Sequence, residues 1–271
     1  MATVMLSVLG TPIGNLQDAS PRLIAALQAA KLVACEDTRR AGRLFQLLGV
    51  ATPKLVALHG HNEAAQIPTL LKRLQAGDAI ALLSDSGLPA LSDPGARLIA
   101  AAHTAGVKIE VIGGPTALAN AAAGSGLVGV AEPGFIFLGF PPRTAKARTK
   151  FWAQWGNLGL PLVMYESPNR VAALCISALE ILGNRPARLA RELTKLHESW
   201  HGPDLATLAA LSELKGECVL VIGTNTEQPI TQHQMALSEP TSLKELAAVV
   251  AKQTGVSNQQ AYKALVALKH S

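Results

Sequence analysis

The sequence predicts an α/β protein built from two consecutive halves of strands and helices. Short β-branched runs alternate with helical patterns along most of the chain, the signature of parallel α/β sheets. A stretch rich in Gly, Pro and small residues over 113–132 divides that alternation in two. The 271 residues are 49% apolar and only 16% charged, enough for one large domain or two small ones with substantial cores. A disordered chain and a disulfide-stapled miniature fold are thereby excluded.

In the first half, strands are expected at 4–9, 32–35, 55–58, 79–83 and 108–112, the first of them cut off by Gly10-Thr11-Pro12. Helical patterns over 22–30, 38–48, 62–75 and 95–105 fall between them, and an Ala-rich helical stretch over 116–123 follows. The second half offers strands at 135–138, 162–165, 188–190 and 218–222, with helices at 144–155, 169–182 and 205–212. The expected division is a first lobe over 1–115, a second over 116–223, a polar linker over 224–240 and a helical appendage over 241–271. That appendage reads as two short helices, 243–253 and 258–268, with Ser257 as a candidate N-cap for the second. It holds four Lys against one Glu and suits either contact with nucleic acid or packing on the main body.

Charge and composition narrow the function classes. Lys and Arg outnumber Asp and Glu by 24 to 19, which favours a polyanionic partner. Aromatic residues are only 4%, which argues against holding single strands chiefly by stacked bases. Cys35, Cys175 and Cys218 stand far apart in apolar surroundings, so buried thiols of a reducing, cytoplasmic setting are expected. The first ten residues lack the basic start of a signal peptide. The longest uncharged run, 111–131, carries five glycines, a proline and an asparagine, so no membrane span is expected.

One motif is set aside. Gly124-Ser125-Gly126-Leu127-Val128-Gly129 matches a dinucleotide fingerprint, yet it follows a helical stretch rather than a strand, so its glycines read as a helix C-cap and loop. The informative residues instead follow the strands, where open α/β sheets bind ligands. They are Gly10 to Leu16, then Glu36-Asp37-Thr38-Arg39-Arg40, then His59-Gly60-His61-Asn62-Glu63. Next come Ser84-Asp85-Ser86-Gly87-Leu88-Pro89 with Ser92-Asp93-Pro94-Gly95, and finally Gly113-Gly114-Pro115-Thr116. Each alone is ordinary turn chemistry; five at one sheet edge suggest a site. His59 and His61 lack a convincing third ligand, so no metal is expected. In the second half, Tyr165-Glu166-Ser167-Pro168-Asn169-Arg170 and Ala190-Arg191-Glu192-Leu193-Thr194-Lys195 set carboxylates beside cations, either to bind a ligand or to tie the lobes by ion pairs. Arg143, Lys146, Arg148 and Lys150 form a basic segment suited to a phosphate backbone.

In this order, the motifs at 11–16, 36–39, 58–63, 84–95, 165–170 and 190–195 closely resemble the bacterial ribosomal RNA small-subunit methyltransferase I group, within the tetrapyrrole methylase superfamily. The resemblance covers nearly the whole chain. It implies two α/β lobes of the tetrapyrrole methylase type with S-adenosylmethionine in the cleft between them, a homodimer, and 2′-O-methylation of a cytidine ribose in the decoding region of 16S ribosomal RNA, with free or assembled small-subunit RNA as partner. It assigns the methyl donor to Asp85, Gly87, Pro89, Pro115, Thr116, Ala117, Tyr165 and Ala190. On the substrate side it places Pro12, Gly14, Asn15, Asp37, Arg39, Arg170 and Glu192, with Lys195, Glu36 and Glu166 as candidates for catalysis. Lys195 would ease deprotonation or hold the ribose; the alternative is a structural ion pair with Glu36 or Asp37. Leu88, Gly113 and Asn169 depart from the group's usual Thr, Pro and His. A degenerate paralogue that binds RNA without methyl transfer, and a methyltransferase acting on a small tetrapyrrole, are the alternatives.

Overall fold

The computed structural model describes residues 5–130, 133–225, 244, 247, 248, 251 and 257–269. The chain divides into two compact units, 1–225 and 226–271, and the first contains both sheets.

The first sheet has the order β3-β2-β4-β1-β5, all parallel, from β1 (Met5–Leu9), β2 (Leu32–Cys35), β3 (Lys54–Ala57), β4 (Ile80–Leu83) and β5 (Lys108–Ile112). Alternation along these strands sends Leu6, Val8, Leu32, Ala34 and Leu82 to one face, under α3 (Glu63–Gln75) and α4 (Ala96–Thr104). Leu9, Val33, Cys35, Ala81 and Leu83 go to the other, under α1 (Pro21–Ala29) and α2 (Thr38–Leu47), where Phe45 is fully buried. Because β1 lies between β4 and β5, the connections leaving β1 and β4 run in opposite directions. The loops after these two strands therefore meet at a topological switch point, where such sheets bind ligands.

The second sheet has the order β6-β7-β10-β8-β9, from β6 (Ile136–Phe137), β7 (Leu162–Glu166), β8 (Ala187–Arg191), β9 (Ser199–His201) and β10 (Cys218–Ile222). Here the expectation of parallel sheets needs correction. Strand β6 is parallel to β7, but β10 runs antiparallel to both β7 and β8, and β9 is antiparallel to β8. The helical crossover from β7 does return a parallel strand, β8, yet the last strand slots between the two in the opposite direction. Strand β9, a three-residue Ser-Trp-His segment, is too short and polar to read as a strand in the sequence. One face of this sheet packs on α6 (Ala145–Trp155), α7 (Val171–Leu182) and α8 (Leu205–Ala209) around Trp152 and Leu174. The other packs on α5 (Ala117–Ser125) and receives Ile13 from the first lobe.

The fingerprint-like glycines end α5: Gly126 is the left-handed C-cap at φ 66°, and a Cβ at Gly124 would lie 2.6 Å from the Trp200 ring. In the second unit, the helix Asn258–Lys269 is capped by Ser257, whose hydroxyl accepts from Gln260 N at 3.3 Å. Most of the expected linker and of the helix 243–253 lies outside the described residues. Among the described residues no helix is long and apolar enough to cross a membrane.

Candidate functional site

A cavity of about 430 Å³ opens where the two lobes meet. Its first-lobe wall comes from the loops after β1, β2 and β4. Its second-lobe wall comes from the start of α5, the end of β7 and the start of β10, with Phe140 at one side.

The loop after β4 is built around a carbonyl. Gly87 O accepts from Thr11 N at 2.9 Å, from Thr11 Oγ1 at 3.3 Å and from Ser84 Oγ at 3.3 Å, which staples the β1 and β4 loops together. Gly87 has φ 79°, and a Cβ there would sit 3.3 Å from Ile13 Cγ2. Further along the same loop Ala90 and Ser92 hold φ of 68° and 73°, a left-handed conformation that costs energy outside glycine and gathers at functional sites. The far end is fixed by buried Glu63, whose Oε1 accepts from the amides of Gly95, Arg97 and Leu98 at 3.1, 3.0 and 3.2 Å. Glu63 thus caps α4, and the 59–63 loop braces the cavity from behind without lining it. His59 and His61 stand edge to face at 6.1 Å, and the described residues include no group of three metal-ligating side chains.

Asp85 spans two loops: Oδ1 accepts from Asp37 N at 3.1 Å and Oδ2 from Arg40 at 2.8 Å. Asp37 caps α2 and binds Arg39, whose guanidinium holds the Asp37 carboxyl well below the usual range. Arg39 itself points out, 90% exposed. Glu36 lines the cavity and makes no hydrogen bond or ion pair among the described residues. Burial, then the Asp85 carboxylate, raises its pKa against the pull of Arg40 and His59. Asp93 lines the same wall, and burial, then Glu36, then Asp85 push it up to about 6, while Ser84 opposes the rise.

On the second lobe, Tyr165 packs its ring at 5.0 Å from Phe137 and 5.5 Å from Phe140. Glu166 is 2% exposed; its Oε1 accepts from Ser167 N at 2.7 Å, and Oε2 lies 3.1 Å from Arg170. Burial raises the Glu166 pKa, while the Ser167 amide and Arg170 oppose the rise. Arg170 also donates to the carbonyls of Pro141 and Pro142, at 2.9 and 3.3 Å.

Lys195 bridges Glu192 at 3.0 Å and Glu217 at 2.9 Å, not Glu36 or Asp37. Burial lowers its pKa, but Glu217 and Glu192 outweigh that effect and raise it, so the group is an ammonium. Its ion pairs, like that of Glu166 with Arg170, lie within the second lobe and do not tie the lobes together. The lobes are joined instead by the 12–15 loop: Asn15 N donates to Thr194 Oγ1 at 3.2 Å, and Gly14 packs so closely on Lys195 and Thr194 that a Cβ would overlap Lys195 Cγ.

The structure therefore gathers Asp85, Gly87, Thr116, Ala117, Tyr165, Glu36 and Glu166 around the cavity. Gly14, Asn15, Glu192 and Lys195 form the adjoining seam, and Pro12 is half-buried in the same loop as Gly14 and Asn15. Pro89 is buried, Pro115 lies behind Gly87 with its carbonyl 3.6 Å from where a Gly87 Cβ would be, and Ala190 is fully buried beside Val219 in the sheet. Of the departures, Leu88 lines the cavity, whereas Gly113 and Asn169 are exposed and do not line it. Arg40, Asp93 and Phe140 line the site although sequence reasoning did not assign them a role. Asp93 and Arg40 belong to motifs already visible; Phe140 carried no signal beyond lying next to the basic segment.

A sequence profile of Tetrapyrrole (Corrin/Porphyrin) Methylases matches residues 5–209. The chain is 37% identical to the ribosomal RNA small subunit methyltransferase I of Synechocystis sp., over 96% of this chain and 91% of that protein. It is 35% identical to the protein of the same name from Pseudomonas aeruginosa, with 97% of each covered. Among solved structures, uroporphyrin-III C-methyl transferase from Thermus thermophilus, complexed with S-adenyl homocysteine, superposes with a TM-score of 0.57 at 20% identity, covering 81% of this chain and 96% of that one. Diphthine synthase superposes with a TM-score of 0.62 at 14% identity, covering 81% and 89%. The two-lobed fold, the profile and the near full-length relatives agree: the chain is a methyltransferase of the tetrapyrrole methylase family and belongs to its ribosomal RNA small subunit methyltransferase I group.

Proposed function

We propose that this protein transfers a methyl group from S-adenosylmethionine to the 2′-hydroxyl of a cytidine ribose in the decoding region of 16S ribosomal RNA, acting on RNA or assembled small subunits as a homodimer. The observation that carries the reading is a cavity of about 430 Å³, within the ~300–1,000 Å³ of small-molecule sites, in a chain whose relatives over nearly its full length are named for small-subunit ribosomal RNA methylation.

The residues present fit the donor. Gly87 leaves space that a side chain would fill, and the first turn of α5 offers backbone N–H groups suited to a carboxylate. Asp85, Gly87, Thr116, Ala117 and Tyr165 would hold it, with Pro89, Pro115 and Ala190 backing them. Bound there, the donor supplies an electrophilic methyl group. The chain must position the ribose oxygen and take its proton, and positioning provides much of the rate.

Glu36 is the best placed acceptor, since it lines the cavity and is unpaired among the described residues. Its raised pKa brings it nearer neutrality, where a general base works best. Glu166 is engaged by Ser167 and Arg170 and shapes the wall. Lys195, an ammonium held by two carboxylates, positions the seam rather than accepting a proton. Arg39 is exposed enough to meet a phosphate, whereas Arg170 is committed to the Pro141–Pro142 carbonyls. Pro12, Gly14, Asn15, Asp37 and Glu192 would frame the substrate beside it.

The test is incubation of small subunits lacking the modification with isotopically labelled donor, followed by nucleoside mass spectrometry. One labelled 2′-O-methylcytidine per 16S RNA is expected. Subunit binding without label would favour a degenerate paralogue, and label on a base would overturn the ribose assignment.

A further inference from the structure

We propose that Phe140 is a stacking platform for the base of the target nucleotide, presented at the cavity mouth beside phosphate-contacting cations. The proposal rests on the RNA methylation reading above.

Phe140 is 58% exposed although it is one of only five phenylalanines, and it lines the cavity. Phe140 belongs to neither apolar cluster of the second lobe. The ring is nonetheless held in place. Tyr165 N donates to Gly139 O at 2.9 Å, Gly139 turns the chain at φ 61°, and the Phe140 ring tilts against Tyr165 at 5.5 Å. On the other side two prolines fix φ, and Arg170 grips both their carbonyls. A platform ordered before binding loses little entropy when it engages a ligand.

The next residues supply the complementary charge. Arg143, Lys146, Arg148 and Lys150 follow within ten residues and form no ion pair among the described residues, and Arg143, Lys146 and Lys150 are exposed. A ribose inside structured RNA reaches an enclosed site only when its nucleotide is splayed out, and unstacked bases are received on aromatic faces while cations track the backbone. The more enclosed part of the cavity, around buried Ile13, Gly87 and Val219, suits the small donor. The exposed ring at the side suits the base. One platform for one nucleotide is compatible with the low aromatic content, which speaks only against tract binding.

The experiment compares wild type with Phe140→Ala and Phe140→Trp, measuring kcat/KM on unmethylated small subunits and donor affinity by calorimetry. Phe140→Ala should lower kcat/KM roughly tenfold or more, mainly through KM, with donor affinity unchanged, and Phe140→Trp should restore it. Replacing Arg143, Lys146 and Lys150 together by Gln should reduce the salt slope of RNA binding by about two. Unchanged transfer by Phe140→Ala would overturn the platform. So would a matching loss of donor affinity, which would assign the ring to the donor. A wild-type protein that binds donor but labels no subunit RNA would overturn the underlying reading, and the platform with it.

Discussion

Two groups of carboxylates in this molecule look alike in sequence and differ in surroundings. Glu63 and Glu192 are tied into loops through Oε1: the first accepts there from three backbone amides, and the second from Glu217 N at 2.8 Å and from Lys195 at 3.0 Å. Glu36 and Asp93 face the cavity instead, and burial raises both. Carboxylates that accept backbone amides hold loops in place, whereas Glu36, with no side-chain hydrogen bond among the described residues, remains available for chemistry. Both kinds follow strands in short polar motifs, so only the partners tell them apart.

The largest effect expected from this contrast is on turnover. Glu36→Gln should lower methyl transfer about 10²- to 10⁴-fold, the usual range for a general base, while donor affinity stays within a few-fold, as single-turnover kinetics and calorimetry would show. A variant with full activity would remove Glu36 from the mechanism.

Glu63→Ala should instead act on stability. It orphans three amides near the buried start of α4 and should cost about 2–4 kcal/mol in chemical denaturation, whereas Glu63→Gln keeps an accepting oxygen and should cost less than about 1 kcal/mol. Equal losses in the two variants would contradict the capping role.

Asp93 gives a pH signature. Its folded pKa of about 6 lies above the reference value of 3.8, so the folded chain holds the proton longer and stability falls as pH rises through that window. Asp93→Asn should therefore stabilise the protein at pH 7.5, by about 1–2 kcal/mol after allowance for partial solvent screening, and hardly at all near pH 3.5. A gain of equal size at both pH values would show that Asp93 is not the titrating group.

The smallest effect concerns the seam. Lys195→Met should lose about 1 kcal/mol of stability, and combining it with Glu217→Gln should cost less than the two single losses together. Strict additivity in that cycle would dissolve the proposed bridge.

Much of the architecture was legible because it rests on local periodicity. The first sheet and its helices follow from alternating strands and amphipathic helices, and the loops that carry Asp85, Gly87 and Thr116 follow from their place after strands. Strand direction in the second sheet was not legible, since β10 inserts between β7 and β8 from far along the chain. Nor could the sequence show that Lys195 meets Glu217, a residue 22 positions away, or that Arg170 is spent on proline carbonyls. These are long-range pairings, and a motif records only which residues are near in sequence.

The role proposed for the cavity between the lobes is to bind the methyl donor. Calorimetry of S-adenosylmethionine against wild type, Gly87→Val and Lys195→Met tests it most directly. Saturable binding at one site per chain is expected in the wild type, with loss of that binding in Gly87→Val, where a side chain would meet Ile13 in a strained φ 79° conformation, and near wild-type affinity in Lys195→Met. Absence of saturable binding in the wild type, or unchanged affinity in Gly87→Val, would contradict that role.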